Sequence, residues 1–492
     1  MTDLSNSLPP IIYYIFFALY LIIILYTIFK ILLDTQSSSK TLAYILLVLT
    51  LPLVGVLLYF SFGINYRHKS STNKSIQLSK ELSKSFQKII PDNTKELQLK
   101  YPDLLGKYKD LIEFIHALGG ENLSVNEYKL LLNGEEKFPE VLKTLATAKH
   151  YIHMEYYDWE NDNRGNQIKD VLIKKVGEGV KVRVMYDDYA SMKMKGNIVK
   201  ELEAVGAEIY PVIKVKLAAF ANRMNHRDHR KVIIMDGHTG FVGGINISDR
   251  YDNSIDTGLY WRDTHIKIMG ATVHNLQRHF LVNWDRCQPN KLEVSKELFP
   301  DITPKTDTKE VQFSQVVAGG PVYPMSNIML TYFKIFTIAK EKLYITNPYF
   351  IPNSSILDAL KQAAIGGVDV RLMMPEKSDS AIVGAAAKFY YAELLQAGVK
   401  IYLYKKGFVH AKTVVADGSL SVVGTANMDI RSFDLNFEIM SVDYGIDLAN
   451  QLENAFLKDL EVCDELFYDN WINQSIVKKV TYSLARLVSS FL

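Results

Sequence analysis

The feature that most restricts the fold of this chain is an internal duplication. Three segments of its middle part recur farther along the chain with similar sequences. Taking the paired positions Ala148 and Ala339, Gly179 and Gly367, and Gly206 and Gly398, the copies lie 191, 188 and 192 residues apart. A near-constant offset over several segments is typical of an internal repeat, here of domain size. We therefore expect two similar units within the 492 residues.

Each copy alternates amphipathic helices with short strands rich in Val, Ile and Tyr, as in FPEVLKTLATA followed by YIHMEYY. This alternation predicts an α/β class in which helices cover a sheet of buried strands. We expect a first half at residues 121–310 and a second half at residues 311–492. The halves should pack face to face, with the functional site at their shared interface.

Both halves carry one polar motif, His-x-Lys-x4-Asp, followed by a glycine-containing turn and an asparagine. The first copy comprises His229, Lys231, Asp236 and Asn246, and the second comprises His410, Lys412, Asp417 and Asn427. The two histidines are 181 residues apart, so the first half holds extra residues before its motif, which we place in Pro211–Asn222. A single motif of this kind is only suggestive, but two copies inside an aligned repeat are a strong signal.

The motif suits phosphoryl chemistry. A His and a Lys two residues apart on a strand point to the same face, so both can reach one bound group. One imidazole can attack phosphorus to form a phosphohistidine, and the other can protonate the departing alkoxide. The two lysines and the asparagine amides can hold the phosphate oxygens and neutralise developing charge without a metal.

Two other interpretations of the motif are weaker. Structural histidines are disfavoured because a buried His and Lys on apolar strands need compensation in both copies. A metal site could use His226, His229 and His238, but the second copy has no matching histidines and a neighbouring Lys disfavours a cation. We therefore expect no metal and no other cofactor.

Each reactive imidazole needs a hydrogen-bond partner that orients it. Two carboxylates in apolar surroundings are candidates: Asp263 in YWRDTHIKI and Glu438 in LNFEIMS, 34 and 28 residues after the histidines. Surface charges on edge strands are the less favoured interpretation of both.

Composition excludes several classes of protein. The chain has 56 basic and 54 acidic residues, a formal charge of +2, which argues against a general nucleic-acid-binding surface. Its two cysteines, Cys287 and Cys463, are far apart, which excludes a disulfide framework and a cysteine zinc site.

The N-terminal part predicts a membrane anchor at residues 1–66. Ile11–Phe29 and Thr41–Asn65 contain no charge, and each reaches the ~20 residues that a helix needs to cross a bilayer. A short polar connection makes them a transmembrane hairpin; a signal peptide fits poorly, since no Lys or Arg precedes the first run and no cleavage site follows it. Positive charge after the second run places the remaining chain on the cytoplasmic side.

Two further regions are secondary. Residues 67–120 are rich in Lys, Glu and Gln and predict a helical linker without catalytic character. The C-terminal segment has an apolar stripe of Ile476, Val480, Leu484, Leu487 and Phe491, which suits a helix at a membrane interface or one packed on the core. Packing is the slightly favoured expectation there, while Pro211–Asn222 could dip into lipid headgroups.

At these motifs the sequence resembles the HKD phospholipase D superfamily, and within it the bacterial cardiolipin synthases. The resemblance extends over nearly the whole chain. It includes the two N-terminal apolar runs and the segments IHMEYY, NHRDHRKVIIMDG, GFVGGINI, WRDTHIKI, NPYFIP and GTANMDIRSFDLNFEI. AGGP departs from it, because Gly319 stands where a small hydroxyl residue is expected.

The resemblance implies two phospholipase D-type halves and a multi-pass enzyme of the bacterial inner membrane, with a cytoplasmic catalytic region. It would join two phosphatidylglycerol molecules into cardiolipin and release glycerol, and a homo-oligomer is possible. His229 would be the nucleophile and His410 the general acid and base. Lys231, Lys412, Asn246 and Asn427 would bind phosphate, and Asp263 and Glu438 would orient the histidines. Asp236 and Asp417 belong to the catalytic signature but are expected to be structural.

Three functions compete at this point. A cardiolipin synthase leads; a lipid hydrolase, or a transferase using another alcohol, has the same motifs and differs only in its acceptor. A nuclease-like protein or an inactive membrane scaffold is the third. Near-neutral charge and the apolar N-terminal runs count against the nuclease, and two intact motifs count against the scaffold.

Overall fold

The computed structural model describes residues 10–35, 38–63, 81–82, 84–214, 226–288, 292–302 and 312–489. It forms two compact units, one holding the N-terminal apolar runs and the other holding both halves of the repeat. The helices are α1 (Pro10–Asp34), α2 (Ser38–Thr50), α3 (Pro52–Leu58), α4 (Thr94–Lys100), α5 (Pro102–Leu105), α6 (Lys109–Gly119), α7 (Asn133–Leu145), α8 (Asn163–Gly177), α9 (Ile198–Ala204), α10 (Thr272–Cys287), α11 (Asn327–Ile338), α12 (Ser354–Ile365), α13 (Ala381–Lys388), α14 (Tyr391–Gln396), α15 (Ile430–Asp434), α16 (Ile446–Leu460), α17 (Tyr468–Ile472) and α18 (Ile476–Ser489).

In the N-terminal unit, the first apolar run forms a single helix, and its stretch Ile11–Asp34 is long and apolar enough to cross a membrane. Within the described ranges it is the one helix that meets this length. The second run is broken at Leu51 into α2 and α3, because Pro52 disfavours the helical conformation of the residue before it. The predicted hairpin of two spanning helices therefore stays a prediction.

The strands of the second unit are β1 (Ser124–Leu132), β2 (Tyr151–Tyr156), β3 (Lys181–Tyr186), β4 (Glu208–Pro211), β5 (Lys231–Met235), β6 (Thr239–Gly243), β7 (Trp261–Arg262), β8 (Thr264–Gly270), β9 (Gln312–Gly319), β10 (Lys342–Thr346), β11 (Phe350–Ile351), β12 (Asp369–Pro375), β13 (Lys400–Tyr404), β14 (Phe408–Val409), β15 (Thr413–Ala416), β16 (Leu420–Gly424), β17 (Met428–Asp429), β18 (Glu438–Tyr444) and β19 (Cys463–Leu466). Fifteen of them form one sheet in the order β19-β13-β12-β10-β15-β16-β18-β9-β1-β8-β6-β5-β2-β3-β4.

This order reads almost the same from both ends toward a seam between β9 and β1, which pair antiparallel through Ser124–Asn126 and Gln312–Ser314. From the seam outward, the first strands of each half pair antiparallel, as in β1–β8 and β9–β18. Farther out, both halves change to parallel pairing, as in β2–β3 and β10–β12. The expectation of two similar α/β halves is confirmed, and the structure adds that they share one continuous sheet.

The inner faces of the two halves also pack against each other. One buried cluster takes Val232 and Ile266 from the first half and Val415 and Ile439 from the second, and covers them with α10 and α16. Each such side chain contributes roughly 1.5–3 kcal/mol of burial free energy. The halves are therefore held by apolar contact as well as by the seam.

The predicted linker contributes to a core. Leu111, Ile112 and Ile115 of α6 are fully buried and pack with Phe313 and Tyr332 of the second half. Part of residues 67–120 is thus a structural element of the second half, and the exact division of the chain into domains stays a prediction.

The C-terminal helix α18 packs through the face opposite its predicted stripe. Ala485 is buried against Ala386 of α13, and the Tyr482 ring stacks on Trp471 at 6.1 Å between centroids. The stripe itself faces outward: Ile476 is 73% exposed and Leu484 is 59% exposed. The favoured expectation of a packed helix therefore holds for α18, but its packed face is not the predicted stripe. Phe491 lies outside the described residues, as does most of Pro211–Asn222.

Candidate active site

The two histidines of the motifs are buried, and each is held by a carboxylate from the opposite half of the repeat. His229 Nδ1 lies 2.9 Å and 3.0 Å from the two carboxylate oxygens of Glu438. His410 Nδ1 lies 2.7 Å from Asp263 Oδ2. With Nδ1–H donating to a carboxylate, the second ring nitrogen, Nε2, is left to act on a bound group.

Backbone pairing between the halves explains this crosswise arrangement. The His229 amide donates to the Phe437 carbonyl at 3.0 Å, and the His410 amide donates to the Arg262 carbonyl at 2.7 Å. Each histidine therefore lies beside the residue that precedes the other half's carboxylate. The short parallel pair β7–β14 continues this contact.

The two carboxylates occupy equivalent positions of the repeat, Asp263 just before β8 and Glu438 at the start of β18, but have different neighbours. A Cβ at Gly244 would lie 2.1 Å from Asp263 Oδ1, so only glycine leaves room for this carboxylate. At the equivalent position of the second half, the Thr425 hydroxyl donates to Glu438 Oε2 at 2.5 Å. The glycine-rich turn noted in the sequence thus makes space for a group that orients a histidine.

The motif lysines are fully buried beside the histidines. Lys231 Nζ donates to the His229 carbonyl at 2.7 Å, and Lys412 Nζ donates to the His410 carbonyl at 2.6 Å. Both lie at or just before the start of their strands, β5 and β15, rather than within them as expected. Burial lowers the pKa of Lys231 to about 8 and that of Lys412 to about 7.

The same burial favours the neutral form of both imidazoles. Burial, followed by the charges of Lys231 and Lys412, holds the pKa of His229 well below its usual value. Burial and Lys412 lower the pKa of His410 to about 3. Because both lysines act on both histidines, the four groups form one electrostatic cluster.

The two orienting carboxyl groups differ in the direction of their pKa shifts. Burial raises the pKa of Glu438 to about 7. Burial also opposes ionisation of Asp263, but His410 and Lys412 outweigh it and lower the pKa of that carboxyl below its usual range. An ionised Asp263 favours an imidazolium at His410, whereas Glu438 gives His229 less such support.

The aspartates of the two motifs lie at the far ends of strands β5 and β15. The Asp236 carboxylate accepts hydrogen bonds from the backbone amides of residues 149–151 at 2.8–2.9 Å. Asp417 accepts equivalent bonds from residues 340–342. Both have left-handed backbones, with φ of 50° and 49°, in the turns that end the strands. This geometry agrees with a structural rather than a reactive role.

The motif asparagines are buried near the cluster. Asn246 Nδ2 donates to the Tyr251 hydroxyl at 3.0 Å, and the backbone amide of Asn427 donates to Ser432 Oγ at 3.2 Å. Within the part of the chain that the structure describes, the Oδ1 atom of each is buried and has no hydrogen-bond partner. Each Oδ1 can therefore accept from a donor of a bound group, whereas a phosphate oxygen would have to be met by the Nδ2 amide.

A cavity of about 400 Å³ opens onto His229 and Asn427. Its wall includes four groups that the sequence analysis did not assign: Tyr157, Arg227, Tyr349 and Arg431. The Tyr157 ring meets the His229 ring edge-on at 4.7 Å between centroids, and the Tyr349 ring lies 6.4 Å from the His410 ring. Arg227 and Arg431 lie within the segments NHRDHRK and MDIRSFD. Their closeness in sequence to His229 and Asn427 could have identified them as residues of the site.

Two further expectations concern residues near the site. A Cβ at Gly319 would lie 2.7 Å from Ile328 Cγ1, so Ile328 fills the space of the hydroxyl residue expected there. Among the described residues, no group of three or more His, Cys, Asp or Glu side chains is arranged to hold a metal ion.

The fold is similar to that of phosphatidylserine synthase from Haemophilus influenzae, with a TM-score of 0.58 and 16% sequence identity. This match covers 78% of the present chain and all of the other. The duplicated His-x-Lys-x4-Asp motif surrounds one buried cluster in this fold, and residues 141–284 and 332–460 match a PLD-like domain, so the chain is an enzyme of the phospholipase D type.

Sequence comparison identifies the family. Residues 141–284 and 332–460 match the family described as cardiolipin synthase, PLD-like domain, and residues 18–63 match the phospholipase D-nuclease N-terminal family. The major cardiolipin synthase of Bacillus subtilis is 35% identical over 99% of this chain and 100% of its own length. A cardiolipin synthase of Geobacillus thermodenitrificans is 36% identical over 95% and 92%, respectively. The chain belongs to the cardiolipin synthase family, which confirms the predicted family, fold class and enzyme class.

Proposed function

We propose that this protein transfers a phosphatidyl group from one phosphatidylglycerol to another, giving cardiolipin and glycerol. The observation that carries the proposal is the pair of buried histidines, each oriented by a carboxylate of the other half and flanked by a buried lysine. Membership of the cardiolipin synthase family supports the choice of lipid.

In the first step, His229 Nε2 attacks the phosphorus of the donor lipid, and the bond to the glycerol oxygen breaks. His410, protonated when the anionic substrate is bound, gives its proton to that oxygen, and glycerol leaves. Lys231, Lys412, Asn246 and Asn427 hold the phosphate oxygens as charge develops on them.

In the second step, His410 Nε2 takes the proton from the terminal hydroxyl of a second phosphatidylglycerol. The oxygen of that hydroxyl attacks phosphorus, and the phosphorus–nitrogen bond to His229 breaks. One phosphodiester replaces another, and the enzyme returns to its starting state.

Two observations favour His229 as the nucleophile. It lines the cavity, whereas His410 is not among the described residues that do so. Its partner Glu438 has a raised pKa, while the ionised Asp263 favours a cationic His410. A neutral attacking ring and a ring that can hold a proton are the two states that this chemistry needs.

We further propose that the protein is a multi-pass membrane protein with a cytoplasmic catalytic region. The helix Ile11–Asp34 and the apolar segments of α2 and α3 support this topology. The outward apolar stripe of α18, flanked by Lys478 and Lys479, suits an additional contact with the surface of an anionic membrane.

The main alternative is a lipid hydrolase, in which water takes the place of the second lipid. The four groups of the cluster are buried, which limits their contact with bulk water and favours transfer.

The testing experiment uses the full-length protein in phosphatidylglycerol vesicles, with lipids resolved by mass spectrometry and free glycerol assayed. We expect one glycerol per cardiolipin, and product loss in both His229→Ala and His410→Ala while the variants remain folded. Phosphatidic acid without cardiolipin would contradict the proposal and identify a phospholipase D.

A further inference from the structure

The cavity contains a second set of cations that the proposed chemistry does not use. Arg227 precedes His229 by two residues, and Arg431 follows Asn427 in the other half, yet both line one cavity. The Arg227 side chain is 11% exposed, whereas Lys231 and Lys412 are fully buried beside the imidazoles and are not among the described residues that line the cavity. The lysines are thus placed for the phosphate that reacts, and the arginines for a second group inside the cavity.

The charge of Arg227 is only weakly neutralised by its neighbours. Its Nη1 lies 4.0 Å from Asp187 Oδ1, the outer limit of an ion pair, and its guanidinium lies 4.4 Å from the Tyr189 ring centroid. The Asp187 carboxylate already accepts backbone amides of Tyr189 and Ala190 on one oxygen and of Asp228 on the other, at 2.9–3.1 Å. Its acceptor capacity is therefore largely used by the backbone.

The two guanidinium groups are close enough to affect each other. Burial lowers the pKa of Arg431, Asp429 opposes this, and the charge of Arg227 lowers it further. Asp429 also caps α15 by accepting the Ser432 amide at 2.7 Å. Asp379, which lines the same cavity, accepts the Tyr349 hydroxyl. The planar guanidinium groups of Arg227 and Arg431 match phosphate oxygens, so together they can bind an anion that enters the cavity.

We propose that Arg227 and Arg431 bind the phosphate of the acceptor phosphatidylglycerol and so select a phospholipid alcohol over water or free glycerol. The inference rests on the proposed function, in which the acceptor carries its own phosphate beyond the attacking glycerol. Holding that phosphate at the arginines directs the terminal hydroxyl toward the phosphohistidine at His229. Its oxygen then bonds to phosphorus, the phosphorus–nitrogen bond breaks, and the proton passes to His410.

The test compares two acceptors in one enzyme. Full-length protein in phosphatidylglycerol vesicles is assayed for cardiolipin formation and, separately, for exchange of labelled glycerol into phosphatidylglycerol. Exchange uses the same donor and the same phosphohistidine, but its acceptor has no phosphate. Arg227→Gln and Arg431→Gln should lower cardiolipin formation about ten- to hundredfold, the usual effect of losing a hydrogen bond to a charged group, and change exchange less than about twofold.

Controls separate the possible failures. Arg227→Lys and Arg431→Lys keep the charge and should recover part of the cardiolipin activity, and Arg371→Gln, in the outer strand β12, should alter neither reaction. Equal losses of both reactions, or no loss in either, would overturn the inference. An unmodified enzyme that exchanges glycerol but makes no cardiolipin would instead refute the proposed function.

Discussion

At the scale of single residues, the site depends on two lysines that lose their proton near neutral pH. Lys231 and Lys412 are fully buried, and burial brings their pKa values down to about 8 and about 7. A lysine is charged below its pKa, so both ammonium groups are present in mildly acid solution and are lost in turn as the pH rises. Phosphate binding should follow this loss.

We therefore expect kcat/KM for phosphatidylglycerol to fall as the pH rises through 7 to 8, since these values belong to the free enzyme. Initial rates of cardiolipin formation at low lipid fractions, measured from pH 6 to 9.5, give the profile. Lys405→Gln, which removes a half-exposed lysine paired with Asp464, is the matched control and should keep the profile unchanged. A constant kcat/KM up to pH 9 would contradict the assignment of the lysines to phosphate binding.

At the scale of elements, helix α18 has two different faces. Ala485 and Tyr482 pack on the protein, while Ile476, Val480 and Leu484 point away from it. Its packing partner α13 contributes Val383 to the wall of the cavity. A helix that contacts lipid would thus lie one layer from the site where lipid reacts.

A probe on each side of this helix tests the contact. Cys287 and Cys463 are replaced by serine, and a polarity-sensitive fluorophore is attached at Val480→Cys or, as the control, at Lys478→Cys. In anionic vesicles we expect blue-shifted emission and quenching by brominated lipid for the Val480 position and little of either at Lys478, because apolar side chains on one face enter the acyl boundary. Equal, water-like emission at both positions would show that the stripe does not contact lipid.

At the scale of the whole molecule, neither half holds a complete reactive group. His229 is oriented by Glu438 and His410 by Asp263, so each half supplies the carboxylate of the other. The seam between β1 and β9 and the shared inner core hold this exchange in register. Each carboxylate should therefore affect the step performed by the histidine that it contacts.

A phosphatidyl donor with a p-nitrophenol leaving group distinguishes these steps, because p-nitrophenolate leaves without being protonated. The burst of p-nitrophenolate should survive in Asp263→Asn and be lowered in Glu438→Gln on the order of 10²-fold or more, since only the latter touches the nucleophile. With phosphatidylglycerol as donor both variants should lose activity. A burst lost in Asp263→Asn and kept in Glu438→Gln would reverse the roles of the two histidines.

The sequence by itself determined the features that depend on local spacing. The helix and strand periods, the two His-x-Lys-x4-Asp motifs and the apolar helix Ile11–Asp34 follow from neighbouring residues. The repeat offset follows from comparing such local patterns along the chain. It also supplied Asp263 and Glu438 as orienting carboxylates, but not the histidine that each one contacts.

Only the tertiary structure decided the contacts between distant segments. The crosswise carboxylates are 209 and 147 residues from their histidines, and Arg227 and Arg431 meet in one cavity although they belong to different halves. The outward direction of the α18 stripe was decided in the same way, because its amphipathic pattern suits both a core and a membrane. Such contacts depend on how the continuous sheet pairs and folds its two inner faces together, and this packing is a property of the whole chain.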